Sequence, residues 1–471
     1  MANPHENQWS SLSSSVVVVM VPYVAQSHMN LLLQFSNVVS SYDIPVHYVG
    51  SALNNSHVKS RASDPLQDLA KIHFHDFQIP ISPDISPSNT TTSSSKTTNS
   101  ELQVRRTEAT KHLREPVAAL LRSLSQTARR LVVVYDSFMA SVVQDVVSLR
   151  NAEAYSFLSI SVIAGLAFTS EALEQNDNSI VPTKDLPSME VCFPSAVVGN
   201  FVASQLRLSH FKAGELNNSC RAIEGSFIDQ ISSISSKMKR WAVGPLHQMT
   251  TYKELIKDQD KWLFEWLDQQ EPNNVLYISF GTIFTLSDED INEIALGLEQ
   301  SGVKFIWVLR GHADKVNSLS NEGRGPQLPD GFEERMRGMG LVVREWVPQV
   351  KILEHPSTGG FMSHCGWNSC MESISMGVPL AAWPLQVDQP LNALLITEVL
   401  KVGVAVREWW QRDELVTSSM ISRAVRKLMA SEGGEEMRKR VAEIGEKVKR
   451  SAAEGGDCRL EWDSFIAHIT R

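Results

Sequence analysis

The run "VVVVMV", residues 16–21, constrains the fold more than any other stretch. Six apolar residues without alternation make a strand buried on both faces, and sheets of such strands are parallel and covered by helices. Its neighbours agree: "NLLLQFSNVVSS" (30–41) has helical spacing, "VHYVG" (46–50) is extended, and "RRLVVVYDSF" (129–138) is a further buried strand ending in polar residues. Strand–helix–strand order of this kind implies an α/β architecture. The pattern restarts late, in "NVLYISFG" (274–281), "KFIWVLR" (304–310), "GLVVREW" (340–346), "TGGFMSH" (358–364) and "VPLAAWP" (378–384). Two α/β units are therefore expected, over 16–240 and 256–455, joined by an extended linker over 241–255. Residues 1–15 read as a flexible tail, and "SPSNTTTSSSKTTNS" (86–100) and the stretch 312–330 read as loops. "EEMRKRVAEIGEKVKRSAAEGG" is a long charged helix, and residues 456–471 hold a last helix expected to pack back on the first unit.

Composition narrows the classes of partner. The net charge of −9 argues against nucleic acid or an anionic membrane, so any bound phosphate must be held by local dipoles. The cysteines are Cys192, Cys220, Cys365, Cys370 and Cys458, an odd and sparse set that argues against a disulfide framework and for a reducing compartment. The apolar run 16–25 is too short to span a membrane, and no Lys or Arg precedes Lys59, so a signal peptide is not expected. A cytoplasmic protein is the resulting expectation.

"SHCGWNSCMESISMG", residues 363–377, raises the question of chemistry. Cys365 and Cys370 beside His364 suggest a metal, but structural zinc wants four ligands in two close pairs and the other cysteines are distant. Asn368 and Ser369 are good N-cap types, with "SCMESISM" following as helix. A strand leading into a helix start offers open N–H groups and a positive dipole end, and Gly366 permits close approach of a ligand. A phosphate cradle and a simple capped helix both satisfy these residues. Neither G-x-G-x-x-G nor G-x-x-x-x-G-K-[ST] is present, which argues against a dinucleotide or P-loop site.

The wider segment "WVPQVKILEHPSTGGFMSHCGWNSCMESISMGVPLAAWPLQVDQ", Trp346 to Gln389, resembles almost position by position the 44-residue signature of plant family 1 UDP-glycosyltransferases, which have the GT-B fold. Looser similarity covers nearly the whole chain, including "FEWLDQQEPNNVLYISFGT". Within the family, the segment from His355 to Pro384 and the C-terminal "SFIAHI" look most like zeatin O-glucosyltransferases. The resemblance implies two Rossmann-like α/β domains facing across a cleft, the first binding an acceptor and the second a UDP-sugar. It implies that Trp346 stacks on uracil, that the Val347 backbone meets the base edge and that Gln349 reaches the nucleoside. Glu372 would take both ribose hydroxyls, and Thr282, His364, Asn368 and Ser369 would hold the diphosphate. Trp367, Asp388 and Gln389 would bond the sugar. No metal and no resident cofactor are implied, and Cys365 and Cys370 become small packing residues.

In the first half, His28 follows the first strand and Asp136 ends the strand "LVVVYD". Alone, each reads as readily as a helix-start or capping residue. Together they stand at carboxyl ends of strands in one parallel sheet, where crevices open. A histidine oriented by a carboxylate is a general base. The pair matches the family's catalytic dyad, although Ser27 stands where the family usually has glycine. The implied reaction is inverting transfer of a sugar, glucose in the first place and xylose in the second. The implied acceptor is a hydroxyl of a zeatin-type cytokinin or a flavonoid or other phenol, and the enzyme is expected to work as a monomer. Flavonoid C-glycosylation on the same fold, a UDP-sugar epimerase and a non-catalytic UDP-sugar-binding protein are the competing readings.

Overall fold

The computed structural model describes residues 15–61, 71–78, 99–173, 186–234, 238–249, 256, 258–281, 286–309 and 327–471. The stretches 1–14, 79–98 and 310–326, which hold nearly all of the expected tail and loops, lie outside the described residues. Two compact units are present, one running to Tyr252 and taking back Arg450–Arg471, the other Lys253–Lys449.

The first unit is built on seven strands: β1 (Val16–Val21), β2 (Val46–Ser51), β3 (Ile72–Phe77), β4 (Arg130–Asp136), β5 (Ala152–Leu158), β6 (Gly214–Asn217) and β7 (Lys239–Ala242). All pairs are parallel, in the order β3-β2-β1-β4-β5-β6-β7. The apolar runs of β1 and β4 lie at the centre, and every residue of both is buried. The helix Gln26–Ser40 covers one face with Leu32, Phe35 and Val39, joined by Trp462 and Phe465 of the C-terminal helix Asp457–Thr470. Trp462 packs its indole 4.6 Å from the Phe35 ring and donates to the Val243 carbonyl at 2.8 Å.

The expectation of an extended linker over 241–255 is corrected where it begins. Lys239–Ala242 is the edge strand of the first sheet and Leu246–Met249 a short helix. Trp241 is buried in the first core, which gives the strand its reason to pair.

The second unit has six parallel strands: β8 (Val275–Ser279), β9 (Lys304–Val308), β10 (Gly340–Val343), β11 (Thr358–Ser363), β12 (Leu380–Ala382) and β13 (Gly403–Ala405). Their order, β10-β9-β8-β11-β12-β13, repeats the doubly wound Rossmann plan. Ile278, Trp307 and Met362 pack against Ile294 and Leu298 of the helix Asp288–Ser301 and against Val425 and Leu428. In both sheets the winding reverses direction beside the first strand, between β1 and β4 and between β8 and β11. Crevices at strand carboxyl ends open at such points. Among the described residues, no helix is long and apolar enough to cross a membrane.

Candidate active site

Side chains with chemistry collect at the two reversal points. In the first unit, β1 and β4 run in parallel register to Val21 opposite Tyr135, so the residues just beyond them meet. His28 lies in the first turn of the helix Gln26–Ser40, and its Nδ1 stands 2.7 Å from Oδ2 of Asp136. Ser27 has ordinary helical backbone, so this turn does not need the glycine found in the family pattern. Asp136 is wholly buried, and its Oδ1 accepts the Phe138 N–H at 3.0 Å. Ser159, just past β5, places Oγ 2.8 Å from His28 Nδ1 and 3.0 Å from Asp136 Oδ2. Tyr23 meets the imidazole edge-on at 5.3 Å between centroids, and Phe138 lies at 5.8 Å. With the carboxylate against Nδ1, the ring nitrogen left to take a proton is Nε2.

In the second unit, Gly281 follows β8 and His364 follows β11. A Cβ added at Gly281 would stand 2.7 Å from His364 Nε2, and one at Gly366 would stand 2.5 Å from it. The imidazole thus occupies the space that both glycines leave. Cys365 turns the chain with φ of 63°, and the helix Trp367–Met376 begins at once. Its N-cap is Gly366, without a side-chain cap. The expectation that Asn368 or Ser369 caps the helix is therefore corrected: both lie inside the first turn, because the left-handed residue starts the helix earlier. The N–H groups of such a turn point out along the axis with the positive dipole end.

Along this helix, Ser369 and Glu372 share one face. Gln349, at the start of the helix Gln349–Glu354, donates from Nε2 to Ser369 Oγ at 3.1 Å and to Glu372 Oε2 at 2.6 Å. Tyr277 donates to Gln349 Oε1 at 3.3 Å and so orients that amide. Desolvation pushes the Glu372 carboxyl up to about 7, partly offset by the Gln349 bond. Val347 is buried, whereas the Trp346 indole is 39% exposed, an arrangement suited to stacking on a flat ring. Trp367 is nearly buried.

The loop carrying Asp388 and Gln389 is tied to the same turn. Asn392 Nδ2 donates to the Cys365 carbonyl at 2.9 Å and to Asp388 Oδ2 at 2.7 Å. Gln389 Oε1 accepts the N–H groups of Leu385 at 2.8 Å and Gln386 at 3.0 Å, so its oxygen builds the loop and its amide nitrogen is what it can offer a ligand. Thr282 lies outside the described residues. Cys365 and Cys370 are buried and form no disulfide. Among the described residues, no group of three or more His, Cys, Asp or Glu has the geometry of a metal site.

Comparison with known proteins matches residues 14–248 to the glycosyltransferase N-terminal domain and residues 249–442 to the UDP-glucoronosyl and UDP-glucosyl transferase family. A zeatin O-glucosyltransferase of Phaseolus lunatus is 44% identical over 99% of this chain and 98% of its own. The chain belongs to the plant UDP-glycosyltransferases. A zeatin O-xylosyltransferase of Phaseolus vulgaris is 43% identical over 97% of this chain and 99% of its own. The structure of Phytolacca americana UGT2, solved with UDP-2fluoro-glucose and pterostilbene, superposes with a TM-score of 0.76 at 25% identity, over 97% of this chain and 99% of that one. The fold of this glycosyltransferase is accordingly GT-B, and its activity is sugar transfer from a UDP-sugar to a small molecule.

Sequence reasoning missed Tyr23, Phe138, Ser159 and Tyr277. Tyr23 and Phe138 lie within five residues of His28 or Asp136, so proximity to a strand end could have found them. Ser159 and Tyr277 are ordinary residues in ordinary segments, and only strand order brings them to the site.

Proposed function

We propose that this glycosyltransferase moves glucose from UDP-glucose to the side-chain hydroxyl of a zeatin-type cytokinin, with inversion and without a metal. The observation that carries the reading is the 2.7 Å contact between His28 and buried Asp136 at adjoining strand ends. The second unit holds the donor and the first the acceptor. His28 Nε2 takes the acceptor's hydroxyl proton while Asp136 stabilises the imidazolium formed. The oxygen attacks the anomeric carbon from the face opposite the diphosphate, and the bond from that carbon to the diphosphate oxygen breaks. An α-linked donor then yields a β-glycoside. His364 and the first turn of the helix Trp367–Met376 stabilise the charge growing on the leaving diphosphate. That none of the five cysteines is in a disulfide supports work in a reducing compartment such as the cytoplasm.

Zeatin as acceptor is supported by the names of the two Phaseolus relatives, which differ in donor and so leave glucose and xylose to be compared directly. Purified protein is given each UDP-sugar with trans-zeatin, cis-zeatin and a flavonol, and UDP release is measured with NMR of the product. A β-O-glucoside of zeatin is expected as the best product. A preferred flavonol, a carbon-linked product or a retained α-linkage would each reject the corresponding part of the reading.

Excess EDTA is expected to leave the rate unchanged. The diphosphate is assigned to an imidazole and a helix start, and the described residues near it lack the carboxylate cluster that bridging magnesium requires. Activity lost to EDTA and restored by a divalent ion would show that the leaving group needs a cation.

A further inference from the structure

We propose that Ser159 is a positioning residue for the His28–Asp136 pair, and that buried Glu224 holds it in place. The inference rests on the reading of His28 as the base.

A hydroxyl has one proton to give. His28 Nδ1 lies 2.7 Å from a carboxylate oxygen, so the ring proton is on Nδ1. The Ser159 proton must then go to Asp136 Oδ2, 3.0 Å away, while an Oγ lone pair faces Nδ1–H at 2.8 Å. Adding the Phe138 N–H on Oδ1, Asp136 receives three donors from three different segments. Its carboxylate cannot rotate without breaking at least one of them. With the carboxylate fixed, the other imidazole tautomer would set two acceptors against each other at 2.7 Å. Ser159 thus helps to hold the tautomer that keeps Nε2 basic.

What keeps Ser159 there lies one turn further along the chain. Residues 159–161 connect β5 to the helix Val162–Ala172, whose N-cap is Ser161. The helix start is clamped from outside: Glu224 accepts the Val162 N–H at 2.9 Å on one oxygen and the Ile163 N–H at 3.0 Å on the other. Ser219 Oγ donates to Glu224 at 2.7 Å. Glu224 is wholly buried and sits at a break in the helix Arg221–Ile234, with φ of −122°. Burial raises its carboxyl and the two N–H groups and Ser219 pull it back, with about 7 as the balance. A carboxylate kept in the interior to bind two N–H groups fixes the backbone three to four residues beyond Ser159.

The titratable groups around His28 are few. Asp136 is the carboxylate, and Tyr23, its hydroxyl pushed up to about 12 chiefly by burial, is neutral across the working range. Arg106, whose guanidinium burial pulls down from its ordinary value, acts on Tyr23. Removing the Ser159 hydroxyl takes a donor from Asp136 Oδ2, which favours the imidazolium, and an acceptor from Nδ1–H, which disfavours it; the proton balance of the pair changes by the difference.

The test is the pH profile of kcat/KM for Ser159→Ala, Ser159→Thr and Glu224→Gln with UDP-glucose and the acceptor. Ser159→Ala is expected to lose about 10-fold in kcat and to displace the acid limb by on the order of one unit, the scale of one charged hydrogen bond. Its KM for UDP-glucose should match the parent. Ser159→Thr keeps the hydroxyl and is expected to return the acid limb to its place even where its methyl slows the rate. An unmoved acid limb in Ser159→Ala, or a loss found only in KM for UDP-glucose, overturns the positioning role. A folded Glu224→Gln should show part of the same limb shift, and an unmoved limb there overturns its part. Full turnover in His28→Ala would instead reject the base, so the two failures are distinct.

Discussion

His28→Ala is expected to lose about 10²–10⁴-fold in turnover with hydroxyl acceptors, the scale of general-base loss, while UDP affinity stays at the parent value. The expectation follows from the placement of the imidazole in the first unit, with its Nδ1 against Asp136 and its ring among Tyr23 and Phe138. Asp136→Asn is expected to lose less. Its amide oxygen can still accept from Nδ1, but the amide group then presents a donor to the Phe138 N–H, so the side chain no longer satisfies both sides at once. Initial rates with saturating UDP-sugar, together with calorimetric titration of UDP, check both statements. Near-parent turnover in His28→Ala would remove the base from the mechanism. An Asp136→Asn enzyme slower than His28→Ala would give the carboxylate a larger part than orientation.

Glu372→Ala is expected to weaken UDP itself by about 10²-fold or more, from two charged hydrogen bonds to ribose of ~1.5–3 kcal/mol each. The bond from Gln349 fixes the carboxylate on the helix face it shares with Ser369. A pH dependence follows from its raised carboxyl, at about 7 in the ligand-free protein. Accepting two ribose hydroxyls needs the ionised form, so UDP affinity should fall as pH drops below about 7 and level off above it, with a proton released on binding. The sign for stability is the reverse of a salt-bridged acid. The folded chain keeps a proton between the ordinary 4.5 and about 7 that the unfolded chain has lost, so this group's contribution falls as pH rises through that window. Titrations in buffers of different ionisation heat count the proton. Asp388→Ala and Gln389→Ala should instead weaken use of UDP-glucose and leave UDP nearly unchanged. Equal loss of UDP in Glu372→Ala and Gln389→Ala would reject separate nucleotide and sugar ends. Gln389→Ala also removes the acceptor for two loop N–H groups, so Gln389→Glu is the gentler control.

Much of the architecture was legible in short segments. The central strands β1, β4, β8 and β9 are mainly apolar runs whose burial is a local property, so composition alone identifies them. β3, "IHFHDF", gives no strand signal in the sequence: it carries three polar residues and sits at the sheet edge. β6 and β13, with four and three residues, are too short to carry a period. Their pairing comes from a neighbour already in place.

The sequence by itself determined the parallel α/β plan, its repetition, and the motif from Trp346 to Gln389, because apolar runs and spaced functional types are written into consecutive residues. It also marked His28 and Asp136 as residues at strand ends. Tertiary structure alone decided which distant segments meet. Strand order sets β4 between β1 and β5, which joins residues 108 and 131 positions from His28 into one hydrogen-bonded cluster. It also decided that Glu224 clamps a helix start some 60 residues earlier in the chain, that Gly366 and not Asn368 caps the cradle helix, and that Gln389 spends its oxygen on its own loop. A hydrogen bond needs its partner within about 3 Å, and a single sequence carries periodicity and residue type but no distances between segments far apart along it.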